Sequence, residues 1–190
     1  MKERASHPLS FLLFSSSSSL SLSSFSFLLV AERYALNNFR YFVPTPPPGE
    51  YTLVLRFAEV SFRHAGRKVF SVVLNREHTV ISDLDIYAAV GFGTAHDVHI
   101  PFTIEPLAGQ GEAEGTVGYL RVNGGAPTAV KHHMPVEFVK TPADNPKVNA
   151  IVIVQAQGAA VDAILPLDPL PEKPKKQKHA PAPDVEVRTR

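Results

Sequence analysis

The sequence predicts an all-β fold, a sandwich or barrel built from many short strands. Three observations carry this. Segments alternating apolar and polar residues at period two recur from Tyr51 onward; no segment sustains a 3.6-residue period; Gly, Asn, Asp and Pro fall between the segments. Alternation puts one set of side chains on a core face and the other on the opposite face. Turn residues between such runs let the chain reverse and pair.

The strands follow in order. Tyr51, Leu53, Leu55 and Phe57 alternate with Thr52, Val54, Arg56 and Ala58, and predict one strand. Val69–Leu74 is a β-branched and aromatic run closed by Asn75, with His78–Ile81 just beyond, which predicts a hairpin. Val98, Ile100 and Phe102 share a face of the next strand. Pro101 within it has no N–H to donate and predicts an edge or a bulge. Thr116–Val122 is a strand stopped by Asn123-Gly124-Gly125. Val136 and Phe138 alternate with Glu137 and Val139. Ala150–Val154 is apolar on both faces, as in a strand covered on both sides.

Composition divides the 190 residues into three parts. Residues 1–31 mix apolar residues with serine runs after a charged start. The layout is that of a signal peptide or of a low-complexity leader, and too much serine interrupts it for a membrane span. Residues 32–157 carry the strands. Residues 158–190 are rich in Pro and Lys with few large apolar side chains, and predict a disordered tail. Neither end is expected to join the core.

Charge and motifs narrow the function classes. Lys+Arg number 19 against 18 Asp+Glu, so no field of one sign draws the chain to nucleic acid. Cysteine is absent, which removes disulfides and thiolate metal sites. Asp97 and His99 share a strand face, but no HExxH accompanies them, and a metal site is not expected. Glu59, Asp83, Asp85, Asp97 and Asp144 supply carboxylates without a glycosidase motif. Gly109-Gln110-Gly111 and Gly124-Gly125 open no helix and are turns rather than phosphate loops. No motif here lifts a catalytic or metal reading above background, and no cofactor is expected.

Five blocks sharpen the reading: LVLRFAEVSF at 53–62, DLDI at 83–86, GTAHD at 93–97, VEFVK at 136–140 and DNPKVNA at 144–150. In order and spacing this set resembles the malectin family of carbohydrate-binding domains, over about Glu32–Val154, with no counterpart for the family's first strand and loop. The resemblance implies a jelly-roll-like antiparallel β-sandwich. It also implies a lectin of the endoplasmic reticulum or secretory pathway whose partner is a glucosylated high-mannose N-glycan or an α-glucose oligosaccharide. Such a reader of N-glycans would serve glycoprotein quality control. The C-terminal membrane anchor of the animal relatives has no counterpart in the sequence.

A sugar site needs aromatic platforms for C–H faces and a few polar groups for hydroxyls. By resemblance, Tyr34, Phe62 and Asp144 match family sugar contacts. Ser61 stands where the family has a tyrosine, and Pro142-Ala143 stand where it has two aromatic residues. Each position has a plainer reading as well: Tyr34 and Phe62 as packing residues, and Asp144-Asn145-Pro146 as a turn. The expectation is that Tyr34, Ser61, Phe62 and Asp144 gather on loops at one end of the sandwich. The alternative is a module of the same fold with a degraded sugar site and a protein partner.

Overall fold

The computed structural model describes residues 14–15, 32–107 and 114–164, with side chains omitted at 14–15 and 162–164. It is a β-sandwich. The strands are β1 (Phe14–Ser15), β2 (Arg33–Tyr34), β3 (Phe39–Pro44), β4 (Gly49–Ala58), β5 (Val69–Leu74), β6 (His78–Asp85), β7 (Ala95–Glu105), β8 (Thr116–Val122), β9 (Thr128–Lys131), β10 (His133–Lys140), β11 (Lys147–Val148) and β12 (Ala150–Val154). Two short helices, α1 (Ile86–Val90) and α2 (Ala159–Ile164), complete it. The larger sheet has the order β1-β12-β4-β7-β8-β9, the smaller β3-β10-β5-β6, and β11 pairs with β2 alone. All pairings are antiparallel except β1 with β12.

The period-two pattern becomes the core directly. Tyr51, Leu53, Leu55 and Phe57 of β4 face Phe70, Val72 and Leu74 of β5 and Val136 and Phe138 of β10, all buried. Phe57 meets Phe70 edge-on at 5.6 Å between ring centres, and Phe39 of β3 stacks on Phe138 at 4.8 Å. Such ring pairs add about 1 kcal/mol beyond the area they bury.

Pro101 shows how a proline sits inside a sheet. β7 lies between β4 and β8, so it is not an edge strand. But β8 begins pairing only at Phe102, and the Pro101 carbonyl accepts the N–H of Asn123 just past the end of β8. The missing N–H falls at the end of the β7–β8 ladder, where only the reciprocal bond to Asn123 is forgone.

Two expectations about the ends need correction. Phe14–Ser15 pairs with Ile153–Val154, so part of the leader does join the larger sheet. The chain is also helical over Ala159–Ile164, inside the stretch expected to lack regular structure. The reason is the outward face of β4 and β12. Val54, Val152 and Val154 point away from the main core, and Val161 of α2 covers them at 1% exposure. Both faces of β12 are thus occupied, as its sequence predicts. The remaining expectations for 1–31 and 158–190 fall outside the described residues. Val161→Ala is expected to lower unfolding free energy by about 1–1.5 kcal/mol in urea denaturation, the value of two buried methyl groups.

Candidate functional site

The loops that follow β4, precede β5 and follow β10 meet at one end of the sandwich. Glu59, just past β4, is 1% exposed and organises the first of them. Its Oε1 accepts the backbone N–H of Ser61 at 2.7 Å and of Phe62 at 2.9 Å, and its carbonyl accepts the N–H of Gly93 at 2.7 Å. One residue therefore fixes the backbone at Ser61, Phe62 and, through a bridge to Phe92, a second aromatic position. Asp85 pins the far side of the 62–68 loop: one carboxylate oxygen accepts the Gly66 N–H and the other accepts that of Ala88, capping α1.

Lys68 joins this loop to Asp144. Its side chain is only 6% exposed, and Nζ donates to Asp144 Oδ2 at 2.7 Å, Asn145 Oδ1 at 2.6 Å and the Asn145 carbonyl at 3.2 Å. All three ammonium donors are used. The same Nζ lies 5.5 Å from the centre of the Phe62 ring. Ser61, Phe62 and Asp144, far apart in sequence, are thus tied together through Glu59 and Lys68.

Asp144 sits at a tight turn. Thr141 and Asp144 bridge across Pro142-Ala143, and Pro142 in the second turn position supplies the φ that such a turn needs. Asp144 itself has φ 112°, a region costly for any residue with a Cβ. The tie to Lys68 holds it there. Burial pushes its carboxyl pKa up. The hydrogen bonds from Lys68 and Asn145 and the charges of Lys68 and Lys140 outweigh this and hold it below the ordinary carboxylate value. The group is an ionised acceptor whose side chain is 38% exposed, so it is open to a ligand hydroxyl.

Tyr34 is placed differently from expectation. It lies on β2 rather than in a loop, opposite Lys147 of β11, and is 55% exposed. Lys147 is fully buried and pairs with Glu32, so an ion pair clamps β2 to the segment that begins at Asp144. That ladder is what connects Tyr34 to the site. Among the described residues no hydrogen bond, ion pair or ring contact joins it directly to Ser61, Phe62 or Asp144.

The other candidate carboxylates have structural tasks. Asp97 takes Arg56 through two bonds, Nε at 2.8 Å and Nη2 at 2.7 Å, with both side chains under 10% exposed. A cleft of about 270 Å³, lined in part by Glu50, Arg121 and Gln157, lies by the opposite end of β4 and holds none of the predicted residues.

Sequence reasoning missed four residues here: Lys68, Phe92, Arg63 and Arg67. Arg63 lies over the Phe92 ring at 3.8 Å and Arg67 over Phe62 at 5.7 Å. The Arg67-Lys68 pair at the start of a strand was the available signal, but a lysine there reads as solvated until the fold buries it.

Comparison with known proteins agrees with this geometry at the level of the domain. Residues 14–151 match the Malectin domain. The match begins well before Glu32, so the resemblance reaches further into the leader than the motifs indicated. Malectin-A of Xenopus laevis is 41% identical over 148 residues, covering 77% of this chain and 48% of that protein. Malectin of Homo sapiens is 41% identical over 152 residues, covering 79% and 46%. The chain spans about half the length of these curated relatives. The extracellular domain of ANXUR2 from Arabidopsis thaliana is similar at a TM-score of 0.48 and 13% identity, over 76% of this chain and 38% of that one, a likeness too slight to bear on function. With its blocks, its sandwich and its relatives in agreement, the chain belongs to the malectin domain family.

Proposed function

We propose that this chain is a carbohydrate-binding module that takes α-linked glucose oligosaccharides, glucosylated high-mannose N-glycans among them, without hydrolysing them. The observation that carries the reading is the Asp144 carboxylate, kept ionised by Lys68 and partly open to solvent next to the Phe62 ring. An aromatic face and a charged acceptor are the two things a glucose ring asks for. Tyr34 would supply a second face and Ser61 a hydroxyl. Among the described residues, Glu59 and Asp85 are engaged with the protein's own backbone and Asp97 with Arg56, which favours binding over hydrolysis by a carboxylate pair. The endoplasmic reticulum or secretory pathway is the compartment that fits such a ligand.

A protein-interaction role is the second reading. It is favoured by Ser61 and Pro142-Ala143, which offer no stacking face where the family has aromatic residues. Calorimetric titration with maltose and nigerose separates the two. Under the sugar-binding reading, Asp144→Ala weakens binding by about tenfold or more, since sugar hydroxyls lose a charged acceptor. Ser61→Tyr strengthens it by about five- to tenfold by restoring a ring. No binding by the natural chain and none by Ser61→Tyr would leave the interaction module.

A further inference from the structure

We infer that the loop cluster around Phe62 prefers a saccharide carrying an acidic group, a carboxylate, phosphate or sulfate, over a neutral glucose oligosaccharide. The inference rests on the sugar-binding reading and moves the preferred ligand from a neutral to an acidic saccharide.

Glu59, Asp85 and Asp144 each have a partner within the protein, while Asp83 of β6 stands exposed near the same loops. Glu59 accepts two backbone N–H groups, Asp85 accepts those of Gly66 and Ala88, and Asp144 is bound by Lys68. Arg63 and Arg67 are exposed and make no ion pair among the described residues. Each rests its guanidinium on a ring, Arg63 on Phe92 and Arg67 on Phe62. Lys140 adds its charge to the field at Asp144.

The result is two partly exposed rings, each carrying a guanidinium fork on one face. A sugar ring presents C–H groups to such a face. An acidic substituent on that ring falls within reach of the fork, which binds planar oxyanions through two parallel N–H bonds. A neutral glucose ring meets the same ring but offers the fork hydroxyls in place of an oxyanion. Asp144 does not repel the acid strongly, because Lys68 neutralises it from the buried side.

The test is titration of the full chain with three disaccharides of one skeleton: maltose, its 6′-phosphate, and the disaccharide with glucuronic acid in place of the non-reducing glucose. Inorganic phosphate is the charge-only probe. The expected result is affinity for an acidic disaccharide about tenfold above that for maltose at low salt, falling toward maltose as salt is raised. Which of the two binds better assigns the carboxylate or the phosphate as the preferred source of charge. Arg63→Gln with Arg67→Gln should collapse the acidic-to-neutral ratio toward one, and Arg67→Lys should restore it only partly, since an ammonium has no planar fork.

Equal affinity for maltose and both acidic sugars overturns the inference and leaves neutral sugar binding standing. So does an acidic preference that survives the double glutamine variant. Competition by inorganic phosphate as effective as that by maltose 6′-phosphate reduces the loop to a bare anion site, and also overturns it. If no disaccharide binds, the sugar-binding reading fails and takes this inference with it.

Discussion

Asp97→Ala is expected to destabilise the domain by about 3–5 kcal/mol, the cost of removing one partner from a buried ion pair. Arg56 lies on β4 and Asp97 directly opposite on β7, with side chains 8% and 5% exposed and two short bonds between them. They occupy the outward face of the larger sheet, where Val54 and Val152 are also covered. Without Asp97 the guanidinium stays in a site closed to water and loses its carboxylate. Pairs of this kind contribute little net stability relative to apolar groups of the same shape. Their removal hurts through the charge left behind. Arg56→Met combined with Asp97→Leu should therefore recover most of the loss. Urea denaturation checks both variants. The single change should also lower Tm by roughly 10–20 °C, at about 3–4 °C per kcal/mol for a domain of this size. A loss under 1 kcal/mol for Asp97→Ala would mean that water reaches Arg56 freely.

Lys68→Met is expected to cost about 2–3 kcal/mol of stability and to remove saccharide binding. The apolar stem keeps its volume while Nζ is lost. Asn145 is 8% exposed, and its Oδ1 and carbonyl would be left without their Lys68 donor. Asp144 is more open, and water replaces the lysine there at smaller cost. The change also acts on titration. A carboxyl whose folded pKa is depressed contributes stability above the ordinary carboxylate range, and that contribution fades as pH falls through the depressed value. Deleting Lys68 removes its hydrogen bond and its charge, the principal influences lowering the Asp144 pKa. The carboxyl should then protonate at higher pH than in the natural chain, which NMR titration of the Asp144 side chain would register. An unchanged Asp144 titration in Lys68→Met would show that Lys140 and the Asn145 N–H suffice.

Much of the sandwich was legible because a buried face writes itself into alternate residues. β4, the β5–β6 hairpin, β8, β10 and β12 stand where the pattern put them. β3 escaped because Phe39-Arg40-Tyr41-Phe42-Val43 is aromatic on both faces, with Phe42 55% exposed, so no alternation marks it. β9 is four residues long, too short to show a period. α2 has six residues and exists through docking on a valine patch that only the folded sheet creates. The site divides in the same way. Phe62 and Asp144 lie in blocks that motif order exposes. Lys68 becomes part of the site through burial, and Arg63 and Arg67 through the rings beneath them, and neither is a property of local sequence.

The strand order of the larger sheet has a consequence for biosynthesis. β4 is flanked by β7 and by β12, so Leu55 pairs with Val98 on one side and with Ile151 on the other. A ribosome delivers β4 early and β12 almost a whole domain later. Until Ala150–Val154 has emerged, one flank of the central strand offers unpaired N–H and C=O groups beside a row of large apolar side chains. That is the template on which nascent chains cross-pair. Closing the sheet depends on contacts between residues distant in sequence, which form slowly. Completion of the larger sheet therefore waits on the emergence of β12, and the bare flank of β4 is open to mispairing in the interval.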